Sequence, residues 1–292
     1  MTYRIVHITR YKYHESVNLC HNEARLIPRS NAWQVCKFSQ VNIEPLPEEY
    51  SEREDFFGNR VSYFAIQHPH EQLMVKVISE VQKTAIETQT DLFGGISWER
   101  AKLELLSNKP DLLDARQFVL ESPMLASSLT VEQYARVSFT AGRPLLEATH
   151  DLMRRIHKDF DYVPKFTTIA TPLSEIMRQR KGVCQDFAHL SIACLRSMGL
   201  PARYISGYLE TVPAPGTERL TGADASHAWF SVFVPGSGWV DFDPTNNLIP
   251  STKHITLAWG RDYSDVSPLK GVVFSAGKHA LSVSVDVQRI SG

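Results

Sequence analysis

The sequence predicts an α+β protein whose first third is all β, on three observations. Roughly the first eighty residues alternate apolar and polar side chains at period two, the strand signature. A stretch of helical spacing follows. A long apolar helix then runs into short strands joined by tight turns, so helices and antiparallel strands are segregated along the chain.

Taken in order, Tyr3, Ile5, His7, Thr9, Tyr11 and Tyr13 share one face of a strand rich in aromatic and β-branched residues. Residues 35–43, 60–67 and 72–81 repeat the pattern. Turn-rich stretches at 45–47, 57–59 and 68–70 separate them, and the spacing reads as an antiparallel β-sandwich or barrel over 1–85. A helical connecting region is expected over 86–140. There, 96–106 is helical with Ser97 as N-cap, and Ser128 or Thr130 caps a second helix whose Thr130-Val131-Glu132-Gln133 fits a capping box. The remaining 141–292 forms the third unit. Helices are expected at 144–160, with Pro144 at its first position, at 172–178 and at 183–198. Gly199-Leu200-Pro201 stops the last of these. Strands are expected at 202–209, 226–234, 238–244, 272–274 and 281–290, with a hairpin turn at 235–238.

Composition narrows the function classes. Among 292 residues, 31 basic and 32 acidic side chains leave a net charge of −1, so neither nucleic acid nor an anionic membrane is an expected partner. No run of ~18 apolar residues suggests a membrane span. The N-terminus lacks the basic and apolar regions of a secretory leader, so a cytoplasmic location is expected. The 4 cysteines, at 20, 36, 184 and 194, form no CxxC pair and no dense framework. Neither disulfides, a structural metal nor a cofactor is expected. The absence of HExxH and of Gly-x-Ser-x-Gly argues against a metallohydrolase and a serine triad.

Cys184 opens the helix at 183–198, after Gly182. At that position unpaired backbone N–H groups and the positive end of the helix dipole favour a thiolate, and the same N–H groups suit an oxyanion. Such a nucleophile needs a base and the base needs an orienting acceptor. His227 lies on one hairpin strand. Asp241 and Asp243 lie on one face of the other, where a short turn sets Asp243 opposite or diagonal to His227. Parity alone leaves Asp241 as a rival to Asp243.

Gly182-Val183-Cys184-Gln185-Asp186-Phe187-Ala188, Ser226-His227-Ala228-Trp229 and Trp239-Val240-Asp241-Phe242-Asp243-Pro244-Thr245 resemble, in order, the three blocks of the transglutaminase-like family. The N-terminal Tyr3-x-x-x-His7-x-Thr9-x-Tyr11-x-Tyr13, Arg25-Leu26-x-Pro28-Arg29 and Asp55-x-Phe57-Gly58-Asn59 are similar to the β domain of its bacterial members. The segment from Gly260-Arg261-Asp262-Tyr263-Ser264-Asp265-Val266 to Pro268 and Gly271 is similar to their C-terminal block. The resemblance implies a papain-like cysteine proteinase core packed on an antiparallel sheet. It also implies catalytic Cys184, His227 and Asp243, because the family's acid stands four residues after a Trp. A thioester intermediate and a peptide or protein substrate follow, with hydrolysis of peptide or isopeptide-type amides as the leading reaction. Amine transfer to protein glutamine is the alternative, and a non-catalytic peptide-binding module on the same fold is the rival from another class. No calcium loop is present to carry over the calcium need of animal transglutaminases.

Other conspicuous residues have plainer readings. Cys194 sits in an apolar helix face and reads as core, with Cys20 and Cys36 structural or incidental. Asp186 complements the helix dipole. Trp229 and Trp239 read as packing around the His–Asp pair, and Arg261 and Asp262 either line the cleft or form an internal ion pair. The second oxyanion donor has no candidate in sequence; Gln179 holds no decisive position.

Overall fold

The computed structural model describes residues 1–84, 94–107, 109–210, 226–274 and 277–291. The start of the expected connecting region, 86–93, lies outside the described residues. Strand β1 (Thr2–Val17) buries Tyr3, Ile5, His7, Thr9 and Tyr13 and exposes Arg4, Arg10 and Lys12, as its period-two pattern requires. Next come β2 (Cys20–Ala24), β3 (Gln34–Glu44), β4 (Glu49–Glu54), β5 (Arg60–Ile66) and β6 (His70–Lys83). Strands β2 and β4 were not foreseen. The second is exposed at every position and mostly charged, which hides its strand signal and blunts a sheet edge.

The helical stretch contains α1 (Trp98–Glu104), α2 (Pro110–Arg116), α3 (Leu129–Arg136) and α4 (Leu145–Asp159). Ser97 caps α1, its hydroxyl accepting from the Arg100 N–H at 3.3 Å. Ser128 is the N-cap of α3 but makes no side-chain capping bond, and Pro144 stands at the N-cap of α4, one place before its first turn. Strand β7 (Asp161–Tyr162), α5 (Leu173–Gln179), β8 (Lys181–Gly182) and α6 (Cys184–Ser197) follow. The two-residue strands β7 and β8 run parallel, with Tyr162 opposite Gly182.

Helix α6 is buried at every residue from Asp186 to Leu195, so it is enclosed on all sides rather than on one stripe. It packs against α3, α4 and α5 as well as β9 (Ala202–Leu209) and β10 (Ser226–Val234). Gly199, at φ +80°, ends it in the left-handed region, and the Leu200 N–H returns to the Leu195 carbonyl at 3.0 Å. With β11 (Gly238–Phe242) and β12 (His254–Gly260), these strands form an antiparallel sheet in the order β11-β10-β9-β12. The chain closes with α7 (Tyr263–Val266), β13 (Leu269–Val273) and β14 (His279–Ser291).

The last two strands do not extend the sheet of α6. Strand β14 pairs with β1 and β13 with β2, giving the orders β14-β1-β6-β3 and β13-β2-β5-β4. Of the segment 141–292, residues beyond α7 therefore belong by hydrogen bonding to the N-terminal sheets. Alternation at Leu281, Val283, Val285 and Val287 signals a strand, but it carries no information on its partner.

The two halves share a core. Tyr208, Ile255 and Leu257 of the α6 sheet pack into the cluster formed by Tyr3, Ile5, Phe64 and Val75. Polar contacts lock the same boundary. Gln34 Nε2 donates to the Thr256 carbonyl at 2.7 Å and its Oε1 accepts from the Thr256 N–H at 2.9 Å. Asn59 makes the same two-way pair with the Trp259 backbone, at 2.8 and 2.9 Å. The Arg29 and Arg203 guanidinium groups both lie over Trp259, 3.1 and 3.8 Å from its ring centre, and Arg203 also lies 4.4 Å from that of Trp239. The motifs around Arg29 and Asn59 thus hold the N-terminal sheets onto the site's sheet.

Gly207, paired with His227 across β9 and β10, shows how tightly that sheet is packed. A Cβ there would stand 2.3 Å from the Ile255 carbonyl oxygen and 2.4 Å from the Trp229 ring, both of them buried. Gly207→Ala is expected to cost about 1–3 kcal/mol through overpacking. Thermal unfolding would show a lowered Tm, and an unchanged Tm would mean the strand has slack.

Candidate active site

The seat of Cys184 is set by the residues on either side. Val183 is extended (φ −119°, ψ 179°), so the chain turns abruptly into α6 with Cys184 as its first helical residue. Asp186 reaches back and accepts the Val183 N–H at 2.8 Å, half of a capping box whose other half valine cannot supply. The Thr167 hydroxyl donates to the same oxygen at 2.6 Å. Gly182 makes this possible, because a Cβ there would stand 2.9 Å from that of Asp186 and 3.2 Å from the Phe187 ring. Burial raises the Asp186 pKa against these two hydrogen bonds. Its role is structural support of the helix start. The Cys184 N–H, at the first helical position, has no helical acceptor and remains available as an oxyanion donor.

His227 and Asp243 come from neighbouring strands. The register pairs Phe230 with Phe242 and Ser231 with Asp241, which puts Asp243 just past β11 and diagonal to His227 on the same face. His227 Nε2 lies 2.7 Å from Asp243 Oδ2. That nitrogen is engaged, and the ring also interacts with the Cys184 side chain, which helps raise its pKa. The three expected residues are therefore brought together. Asp241 is not part of the line: its carboxylate accepts from Trp229 Nε1 at 3.0 Å and from the Ser231 hydroxyl.

Two further residues complete the site and were not anticipated. Asn246 Nδ2 donates to Asp243 Oδ2 at 2.7 Å, while the backbone N–H groups of Thr245 and Asn246 donate to Oδ1 at 3.0 and 3.1 Å. The Asp-Pro-Thr-Asn run carries a readable signal for this, an aspartate closing a turn onto its own backbone. His254, buried at the start of β12, lies 3.1 Å from Oδ2 through its Nε2. Its Nδ1 faces the Ser251 N–H at 3.5 Å, so the tautomer with hydrogen on Nε2 suits both neighbours. Nothing in the sequence around His254 marks it.

Electrostatics follow from these contacts. Burial opposes a charged His227, but the hydrogen bonds to Asp243 and then Cys184 outweigh it and raise the ring's pKa to about 10. Burial likewise opposes the Asp243 charge, and the hydrogen bonds from His227 and His254 hold the carboxyl well below its ordinary range. Because the His227 pKa is raised, the pairing stabilises the fold fully below about 6.5 and this contribution is lost as pH climbs to about 10.

The potential ligand atoms of His227, Asp243 and His254 lie within 4.8 Å of one another, close enough to consider a metal ion. The donor chemistry fits hydrogen bonding better. Both Nε2 atoms and the Asn246 amide already converge on one carboxylate oxygen, and an ion would have to displace that amide.

The remaining candidates have separate employment. Cys194 is fully buried, and burial pushes its thiol up. Cys20 is buried and Cys36 half-buried, both in the β region. His189, on the far side of α6, accepts the Tyr263 N–H at 3.1 Å, and burial lowers its pKa to about 4. Arg261 pairs with Asp265, not with Asp262, which instead caps α7 and accepts the Met124 N–H. Trp229 packs edge-on to His254 and beside His227, whereas Trp239 packs against Phe118 and Phe233 away from the ring pair. Gln179 donates to Glu175.

His254→Ala removes one donor from a buried carboxylate, a loss of about 1–3 kcal/mol. The expected result is a lowered Tm together with slower alkylation of Cys184 by iodoacetamide at pH 6. His254→Gln, which keeps a donor, is expected to recover part of both. Unaltered alkylation in His254→Ala would show that His227 is oriented without it.

Both halves of the chain resemble known proteins. Residues 3–82 match the bacterial transglutaminase-like N-terminal region, and 133–244 match the transglutaminase-like superfamily core. An uncharacterized Mycobacterium tuberculosis protein is 39% identical over 99% of this chain and 93% of its own length. A Mycobacterium leprae relative is 32% identical over 99% of both. A protein-glutamine gamma-glutamyltransferase of Pseudomonas aeruginosa is 29% identical across 37% of this chain and 19% of its own. The solved structure of a "Putative Cysteine Protease from Cytophaga hutchinsonii" shares the fold at a TM-score of 0.78, with 20% identity over 100% of this chain and 91% of that one. With both family regions in order and full-length relatives on either side of one-third identity, the chain is a cysteine-dependent enzyme of the bacterial transglutaminase-like family.

Proposed function

We propose that the protein hydrolyses peptide or isopeptide-type amides through a thioester on Cys184. The observation that carries this reading is the buried His227–Asp243 pair, 2.7 Å apart, with Cys184 at the first position of α6 interacting with the same ring. In the reaction, His227 already holds the proton and the Cys184 sulfur attacks the amide carbonyl carbon. The Cys184 N–H donates to the oxyanion. The imidazolium then protonates the departing amine as the C–N bond breaks, leaving the acyl group on sulfur. Water attacks the thioester, His227 takes its proton, and the acid leaves as the pair of sulfur and protonated His227 is restored. Asp243 keeps the ring oriented and stabilises its charged form throughout.

Amine transfer is the second reading, favoured by the partial likeness to a gamma-glutamyltransferase. The two readings share every step up to the thioester and differ in what resolves it.

Mass spectrometry of a peptide pool carrying glutamine carboxamides and Lys isopeptides, with a primary amine present, separates them. Free acid or cleaved isopeptide is expected to be the main product, and amine adducts as the main product would favour transfer. Cys184→Ala is expected to abolish either activity and His227→Ala to lower it by ~100-fold or more. Turnover that survives Cys184→Ala would refute the thioester route.

A further inference from the structure

The loop between β7 and α5 is tied to the nucleophile's seat at several points. The Asp161 N–H donates to the Arg180 carbonyl at 2.8 Å and the Val163 N–H to the Gly182 carbonyl at 3.0 Å. The Thr167 hydroxyl donates to Asp186, two residues beyond Cys184. Phe166 and Thr171 close turns onto Val163 and Thr168 through backbone hydrogen bonds of 3.2 and 3.0 Å. The loop's backbone is thus fastened to residues on both sides of Cys184.

That fastened loop leaves large apolar side chains in water. Tyr162 is 51% exposed, Phe166 42% and Ile169 56%. Tyr162 has a defined place, its backbone opposite Gly182 and its ring edge-on to Phe187 at 6.4 Å, one helical turn after Cys184. Its hydroxyl has no hydrogen-bond partner among the described residues. On the histidine side, Leu248 is 38% exposed while its backbone pairs with that of Asp243 in both directions. Water-facing apolar groups on a loop fastened to the residues flanking Cys184 are what a substrate side chain would cover.

We propose that Tyr162, Phe166 and Ile169 wall an apolar subsite beside Cys184, so that the favoured substrate carries an aromatic or large aliphatic side chain next to the reacting carbonyl. This rests on the acyl-transfer reading of Cys184 and adds the substrate class to it. No charged side chain is needed for the choice. Burial of the ligand side chain against these rings supplies the preference.

The test uses the full chain and dipeptidyl chloromethyl ketones bearing Phe, Leu, Ala, Asp or Lys next to the ketone. Alkylation of Cys184 is followed by peptide mass spectrometry, and each rate is divided by the iodoacetamide rate of the same variant. Phe and Leu probes are expected to exceed Asp and Lys probes by ~10-fold or more. Tyr162→Ala and Phe166→Ala are each expected to bring the Phe probe towards the Ala probe, whereas Tyr162→Phe keeps the preference because the ring remains. Equal normalised rates for all probes, or faster reaction with Asp or Lys, would overturn the subsite while fast iodoacetamide reaction left the acyl-transfer reading standing. Sluggish alkylation of Cys184 by every reagent would overturn both.

Discussion

The buried carboxylate of Asp243 is the constraint around which the site is built. It is fully excluded from solvent, and an isolated charge there would be costly. Five donors meet it: His227, His254 and the Asn246 amide on one oxygen, two backbone N–H groups on the other. With so many donors the carboxylate stays ionised. An ionised carboxylate in turn holds His227 charged and correctly turned towards Cys184. Remove the carboxylate and three side chains from separate places in the chain lose their common partner.

The fold serves this arrangement by rigidity rather than by any special backbone at His227. The β10–β11 register sets the diagonal from His227 to Asp243, and β12 brings His254 to the same oxygen. Close packing at Gly207 keeps β9, β10 and β12 in place, since Trp229 and the Ile255 carbonyl occupy the space a side chain would take. The N-terminal sheets then cover the back of this layer. Tyr208, Ile255 and Leu257 lie in their core, and the stacked Arg29, Trp259 and Arg203 bind the boundary. Strands β13 and β14 tie the chain end into those same sheets, so the two halves are interleaved in sequence as well as packed in space.

Much of this was legible before the structure. Cys184 sits between a glycine and an apolar helical run, and His227 lies across a Pro-Gly turn from Asp241 and Asp243 on strands of clear parity, so local pattern plus two-residue periodicity narrows the triad to Cys184, His227 and one of two aspartates. Resemblance was needed to choose Asp243 over Asp241; the structure separates them by giving Asp241 to Trp229 and Ser231. What escaped was non-local. His254 opens a strand buried on both faces, where alternation vanishes, and its partner lies across the sheet. The partners of β13 and β14, and the stacking of two arginines on one tryptophan, depend on segments more than fifty residues apart, which no window of sequence contains.

The most direct measurement is an NMR titration of the His227 ring, labelled with nitrogen-15, across pH 5 to 11 in the wild-type protein and in Asp243→Asn. The account predicts a ring that remains protonated through neutral pH and titrates near 10 in the wild type, and at clearly lower pH once the carboxylate is replaced. A ring already neutral at pH 7 in the wild type, or one that titrates identically in Asp243→Asn, would contradict the claim that Asp243 organises the site.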